Sequence, residues 1–224
     1  MKHRAIISSL IIALVGGVFI SAIEAGSYPK PSIVPTSWQL EFEYQSPRCI
    51  TLRLPGESKA RTYWYMLYTV INRTGADRIF VPEFILYTDT GKVYCAGKHV
   101  PSEVFHAIQS RHNNPLLMSM AGITGPLLQG EDNAKDGVAI WPDIDPKARA
   151  FDIFIAGLSG ERVEIKLPVP TKVTVIGKDG KPIEKVSNTA ILSKTLHLQY
   201  RLPGEPAGRA NMVLKPIKKE WVMR

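Results

Sequence analysis

Short segments in which apolar and polar residues alternate are the feature that most constrains the fold of this chain. The segment WQLEFEY, residues 38–44, alternates four apolar residues with three polar ones, and CITLRL at 49–54 repeats the pattern. Successive side chains of a β-strand point to opposite faces, so a period of two predicts a strand with one buried and one solvated face.

Further strands are predicted along most of the chain. TYWYMLYTVINRTG, residues 62–75, is apolar or aromatic on both faces, which is typical of a central strand covered on both sides. Later segments alternate again, and Asp179-Gly180 between two of them is the strongest hairpin signal. Because turn residues separate these segments and helical periodicity is scarce, the sequence predicts an all-β fold, an antiparallel β-sandwich over residues 37–224.

One helix interrupts this pattern. In VPSEVFHAIQSRHNNP, residues 100–115, apolar residues recur on one helical face between a Pro-Ser start and an Asn-Asn-Pro stop. The spacing predicts a short inserted helix over about 101–112. The following segment, LLMSMAGITGPLLQG at 116–130, is punctuated by glycine and proline and predicts a long apolar loop.

The amino-terminal residues indicate export. A basic start precedes the apolar run at 5–23, which is longer than a usual signal-peptide core and about as long as a membrane span. Residues 1–25 are therefore predicted to be a signal peptide or an N-terminal membrane anchor, which would act as a single-span tether. Residues 26–36 form a Pro-rich linker, and the domain is expected in the periplasm or cell envelope.

The formal charge of +8 favours anionic partners. Nucleic acid is not expected outside the cytoplasm, so we expect an unknown protein or an anionic polymer of the cell envelope. A carboxy-terminal basic segment with an aromatic anchor is the candidate binding surface, and it comprises Trp221, Lys218, Lys219 and Arg224. The alternative is a final strand that buries Trp221.

Two cysteines, Cys49 and Cys95, are the only ones in the chain. An exported compartment permits a disulfide between them, although the sequence leaves open whether they lie close enough to pair. Two cysteines are too few for a structural zinc site, and no cofactor is predicted.

The segment GEDNAKDGVAIWPDID, residues 130–145, holds five carboxylates. If GVAIW is a strand, it separates an acidic turn at Glu131–Gly137 from another at Asp143–Asp145. Asp132 and Asp136 in the first turn are weak metal-ligand candidates, because a calcium loop requires more oxygen ligands at fixed spacing. Turn formation explains aspartate at these positions more simply, so no metal site is predicted.

No catalytic motif accompanies these residues. His106 and His112 lie in or beside the predicted helix, but six residues place them on different helical faces. Signatures of metalloproteases, nucleotide-binding loops and serine hydrolases are absent from the sequence, so no catalytic residue is predicted. An envelope hydrolase that uses the acidic loop residues is the alternative function, and a calcium-stabilised structural domain is the other.

Four blocks carry a resemblance to a known group of proteins. They are residues 62–92, LLQGEDNAKDGVAIWPDID, IFIAGLSGE and the terminal KKEWVMR. In these blocks the chain resembles an uncharacterised family of exported bacterial proteins with an immunoglobulin-like β-sandwich. The resemblance implies the sandwich and the exported location, and it brings no known activity or cofactor. We therefore expect a non-enzymatic binding or assembly module of the cell envelope.

Overall fold

A computed structural model describes residues 28–176, 181–202 and 212–224. The predicted signal peptide or anchor at 1–25, with its apolar run at 5–23, lies outside these residues. Within the described ranges, none of the helices has the length and hydrophobicity needed to cross a bilayer.

The described residues form twelve strands and two short helices. In chain order they are β1 (Glu41–Tyr44), β2 (Arg48–Leu52), β3 (Arg61–Asn72), β4 (Arg78–Phe80), β5 (Glu83–Thr88), β6 (Val93–Cys95), α1 (Ser102–Arg111), α2 (Met120–Ile123), β7 (Gly125–Leu127), β8 (Gly130–Pro142), β9 (Ala150–Ala156), β10 (Arg162–Ile176), β11 (Pro182–Arg201) and β12 (Pro216–Met223). The all-β prediction is confirmed, and every pairing between these strands is antiparallel.

The first sheet is built around β3. Strands β1 and β2 pair with successive parts of one edge of β3, and β8 pairs with the other edge. In the second sheet β9 pairs with β5, and β5 pairs with β6. The carboxy-terminal part of β11 lies between β9 and β12, while its amino-terminal part pairs with β10. A separate two-stranded sheet joins β4 to β7.

The two large sheets share one hydrophobic core. Trp64, Met66 and Trp141 from the first sheet belong to the same buried cluster as Phe151 and Leu198 from the second. A second cluster lies on the other face of the first sheet, where Val104 and Ile108 of α1 belong to the same buried cluster as Tyr63, Tyr65 and Val138. Both faces of β3 are therefore covered, as its aromatic sequence predicts.

The helix predicted at about 101–112 is confirmed as Ser102–Arg111. The loop predicted at 116–130 is wrong in part, because it contains α2 and β7. The Ser119 hydroxyl accepts a hydrogen bond from the Gly122 amide at 3.2 Å and caps α2. The three-residue β7 exists because it pairs with β4, a tertiary contact that local sequence does not encode.

Candidate functional site

A long two-stranded hairpin extends beyond the second sheet. We call residues 162–176, which form β10, and residues 181–193, which contain the first part of β11, the arm. Within the described residues β10 pairs only with β11, in a register that runs from Arg162 opposite Ser193 to Ile176 opposite Pro182. At about 3.3 Å per residue, the fifteen residues of β10 span about 50 Å. This pairing confirms the predicted hairpin, although its turn at Asp179-Gly180 lies outside the described residues.

The arm exposes large apolar side chains. Val169, Ile183, Val186 and Ile191 are each between 51% and 68% exposed. Burial begins at Lys194, where β11 enters the sheet between β9 and β12. The arm therefore carries the β-branched side chains that are typical of a sheet, but they are exposed instead of packed against a core.

The arm is also basic. Its exposed charged side chains are five cations, Arg162, Lys166, Lys172, Lys181 and Lys185, and two anions, Glu164 and Glu184. Lys172 pairs with Glu184 across the strands at 3.3 Å. The described arm thus carries three more positive than negative charges.

A buried ion pair lies at the base of the arm. Glu161 directly precedes β10, and its Oε2 lies 3.1 Å from Nζ of Lys194 on β11. The Ser32 amide donates to Glu161 Oε1 at 2.7 Å, and Lys194 Nζ donates to the Ser32 carbonyl at 3.3 Å. Tyr28 donates its hydroxyl to the Met223 carbonyl at 2.7 Å. The Pro-rich linker therefore lies against the base of the arm instead of remaining clear of the domain.

The predicted carboxy-terminal binding residues divide between two faces of β12. Trp221 and Lys219 lie on the core side, where Trp221 is half-buried beneath Lys194 and Lys219 lies over the Tyr44 ring. Lys218 lies on the opposite face. It pairs with Glu220 at 2.8 Å.

Arg224 lies on the same outer face as Lys218. Its guanidinium stacks over the Phe154 ring at 4.4 Å and donates to the Tyr87 hydroxyl. The four residues of the predicted surface therefore have contacts within the chain and do not form one basic patch.

A histidine that the sequence analysis does not single out organises this outer face. His197 of β11 is 9% exposed, with Nε2 2.7 Å from Asp152 and Nδ1 3.1 Å from Glu220. Its ring stacks on Phe154 at 4.6 Å. Hydrogen bonds from Lys218 and then from His197 lower the pKa of Glu220. The two carboxylates lie at opposite nitrogens of the ring and fix its orientation between β9 and β12.

Asp132 and Asp136 lie on a strand, because β8 begins at Gly130. The predicted turn at Glu131–Gly137 is therefore wrong, since these residues belong to β8, with Lys135 and Asp136 paired to Val70 and Thr69 of β3. Residues 131–134, which include Asp132, fall at a register shift of that pairing. In the part of the chain that the structure describes, no three His, Cys, Asp or Glu side chains are grouped as metal ligands.

Asp136 lines a polar cavity of about 190 Å³ together with His112 and Glu43. Its two carboxylate oxygens accept hydrogen bonds from Thr69 at 2.7 Å and Asn114 at 2.8 Å. Burial, followed by the charges of two nearby arginines, lowers the pKa of His112. Asp132 does not line this cavity.

Asp145 forms the second predicted turn. Its carboxylate accepts the Lys147 amide at 2.9 Å and pairs with Lys92 at 3.1 Å. The Lys147 amide, Lys92 and Thr90 together hold the pKa of Asp145 below its usual value despite partial desolvation. The carboxylate thus stabilises a corner of the chain, as expected for aspartate in a turn.

Cys49 and Cys95 do not form a disulfide. Cys49 lies on β2 of the first sheet and belongs to the shared core. Cys95 lies opposite Ile85 on β6 of the second sheet, whose core-facing residues include Phe84 and Leu86. Since paired residues share a face, Cys95 lies on the outer face of its sheet, and the core separates the two sulfurs.

An apolar cavity of about 440 Å³ lies between α1 and α2. It is lined by Val100, Phe105, Met120, Val138 and Ile140, with a few polar side chains at its rim. Its lining is apolar, whereas the surface of the arm combines apolar and cationic side chains.

No family model, curated protein or solved structure matches this chain.

Proposed function

We propose that the protein is a non-enzymatic, exported cell-envelope module that binds or assembles with a partner through the arm. The observation that carries this proposal is the exposure of Val169, Ile183, Val186 and Ile191 on a hairpin that lies outside the core. Exposed apolar side chains on a projecting element favour association, because a partner would remove them from water.

The energetics of a two-stranded ribbon support this role. An isolated hairpin in water is marginally stable at best. Before Ser193, the described strands of the arm pair only with each other. The buried Glu161–Lys194 pair and the linker fix its base. A long element fixed at one end and open along its length is suited to contact with another molecule.

The remaining domain is proposed to be an immunoglobulin-like sandwich that supports the arm. Two antiparallel sheets with a shared core agree with this architecture. The excess positive charge of the arm suits an anionic polymer or an acidic protein of the envelope. Residues 1–25 are proposed to export the chain and, if retained, to tether it to the membrane.

The hydrolase alternative has less support from the geometry. Asp136 and His112 line one cavity, but both oxygens of Asp136 already accept hydrogen bonds. Asp132, the other acidic candidate, lies outside that cavity. The calcium alternative relies on the same two aspartates, of which Asp136 already accepts from Thr69 and Asn114 while Asp132 does not line the same cavity.

Site-specific photo-crosslinking tests the proposed function in intact cells. A photoreactive amino acid replaces Val186 on the arm, and a matched control replaces Asp132, which is also exposed. We expect a discrete crosslinked product from position 186 that is absent from position 132. The proposal is wrong if both positions give the same products or if position 186 gives none. Substrate hydrolysis that is lost in Asp136→Asn would instead support the hydrolase.

A further inference from the structure

One edge of β11 has no described neighbour along the arm. On that side β12 pairs with β11 from Lys194 to Tyr200, and the Ser193 and Arg224 backbones exchange two hydrogen bonds of 2.7 and 3.0 Å. From Leu192 back to Ile183, β11 pairs only with β10 on its other side. Among the described residues, no strand therefore pairs with this edge in line with β12.

The alternation of backbone groups identifies the amides that lie on this edge. Because Ser193 directs its N–H and C=O toward Arg224, every second residue back to Thr189, where the register with β10 is regular, directs the same groups to that edge. Ile191 is among them, whereas the register shift between Thr189 and Ser187 interrupts the alternation before Lys185 and Ile183. The Ser187 hydroxyl occupies the backbone groups in the middle of this edge, since it accepts from the Thr189 amide at 3.2 Å and donates to the Thr189 carbonyl at 2.8 Å.

The two long edges of the arm differ. Strand β10 contains Pro168 and Pro170, which lack N–H groups, at a bulge where the register shifts. Proline and irregular backbone are devices that prevent a sheet edge from pairing with another chain. Strand β11 has no proline between Ile183 and Ser193. An incoming strand thus meets fewer obstacles on β11 than on β10.

We propose that this edge of β11 accepts an extended acidic peptide segment as an added β-strand. This inference rests on the proposed function of the arm and adds the partner's chemistry and the binding mode. Backbone hydrogen bonds to Ile191 would fix the register, as in other cases of strand addition. The excess of cations on the arm selects an acidic partner and disfavours a second copy, whose arm carries the same charge.

The binding assay uses the full-length chain and a fluorescent peptide of alternating valine and glutamate. A peptide in which lysine replaces glutamate is the control. Fluorescence anisotropy is measured with the wild type, Ile191→Pro and Ile191→Ala. Both substitutions remove the isoleucine side chain, whereas only proline removes the outward N–H. Circular dichroism verifies that each variant folds.

We expect the acidic peptide to bind the wild type and the lysine peptide not to bind. Ile191→Pro should weaken binding up to about tenfold relative to Ile191→Ala, the factor expected for one lost backbone hydrogen bond. Equal affinity of the two variants overturns strand addition. Binding to vesicles that contain phosphatidylglycerol, with no binding of the peptide, also overturns it and assigns the arm to an anionic membrane surface.

The two proposals fail in distinguishable ways. A crosslink from position 186 with equal affinities of the proline and alanine variants retains the arm as the contact surface and rejects strand addition. Absence of that crosslink rejects the proposed function regardless of how the peptide behaves. Lys185→Glu provides a third measurement: it lowers the excess positive charge of the described arm from three to one and should weaken binding of the acidic peptide.

Discussion

Glu161 Oε2 lies 3.1 Å from Lys194 Nζ, and the two side chains are only 6% and 3% exposed. This pair joins the residue before β10 to the point where β11 enters the sheet, so it fixes the base of the arm. The Ser32 backbone bonds both members and ties the linker to the same place. One buried contact therefore connects the linker, the arm and the core.

Removal of one member of this pair should destabilise the domain. Glu161→Gln leaves the Lys194 ammonium buried without its counter-charge, and we expect the free energy of unfolding to fall by about 3 kcal/mol. Urea denaturation measures this loss. Combining Glu161→Gln with Lys194→Met should recover part of it, because the uncompensated charge is gone. A double variant less stable than either single one would contradict this explanation.

The same pair predicts a dependence of stability on pH. Burial opposes ionisation of Glu161, but hydrogen bonds from the Ser32 amide and Lys194 prevail and lower its pKa. A pKa that is lower in the folded state stabilises the protein above the unfolded value of about 4.3 and loses this effect as the pH falls through the folded value. Urea midpoints should therefore decline more steeply below about pH 5 in the wild type than in Glu161→Gln. Parallel declines would contradict the prediction.

Two glycines with similar backbone angles should respond differently to alanine. Gly157 and Gly75 have φ of +88° and +85°. A Cβ at Gly157 would overlap the Val81 carbonyl oxygen and lie 3.3 Å from Pro82 Cα, whereas Gly75 has open space around it. Gly75→Ala should cost about 1 kcal/mol from backbone strain alone. Gly157→Ala should cost at least about 2 kcal/mol more, measured by urea denaturation, because backbone atoms must move.

Asn72 should be intolerant of aspartate. It is fully buried, and its Nδ2 donates to the Leu127 carbonyl at 2.8 Å and to the Ala76 carbonyl at 3.0 Å. Asn72→Asp replaces both donors with an acceptor that faces these carbonyls, so we expect a loss of about 3 kcal/mol in thermal or urea denaturation. Asn188→Asp, at an exposed position, is the control and should change stability little. Equal losses would show that burial is not the cause.

Local patterns predict much of the architecture and few of the long-range polar contacts. The double-sided apolar run of β3 and the Asp179-Gly180 signal indicate the central strand and the hairpin, because both depend on residues close in sequence. His197 meets Asp152 and Glu220 only because β9, β11 and β12 are neighbours in the sheet. No local pattern reveals that juxtaposition.

The basic segment near residue 221 shows that residues close in sequence need not share one surface. Considered as a cluster, Lys218, Lys219 and Trp221 predict one binding surface. Considered as a strand, alternate residues lie on opposite faces, and β12 separates them in this way. The alternative expectation, a final strand, is the one that the pairing of β12 with β11 confirms.

The arm should be removable without loss of the fold. Lys166 lies opposite Thr189 in the hairpin, so replacement of residues 167–188 by Asn-Gly joins a cross-strand pair through a two-residue turn. The apolar side chains removed from this part of β11, Ile183 and Val186, are more than half exposed, and their loss should leave the core intact. We expect the free energy of unfolding to change by less than about 1 kcal/mol in urea denaturation. As a control, Ile153→Ala in the core should cost about 3 kcal/mol. If the shortened chain fails to fold, the arm has a structural role. Loss of partner contacts in that variant would then no longer be evidence that the arm binds the partner directly.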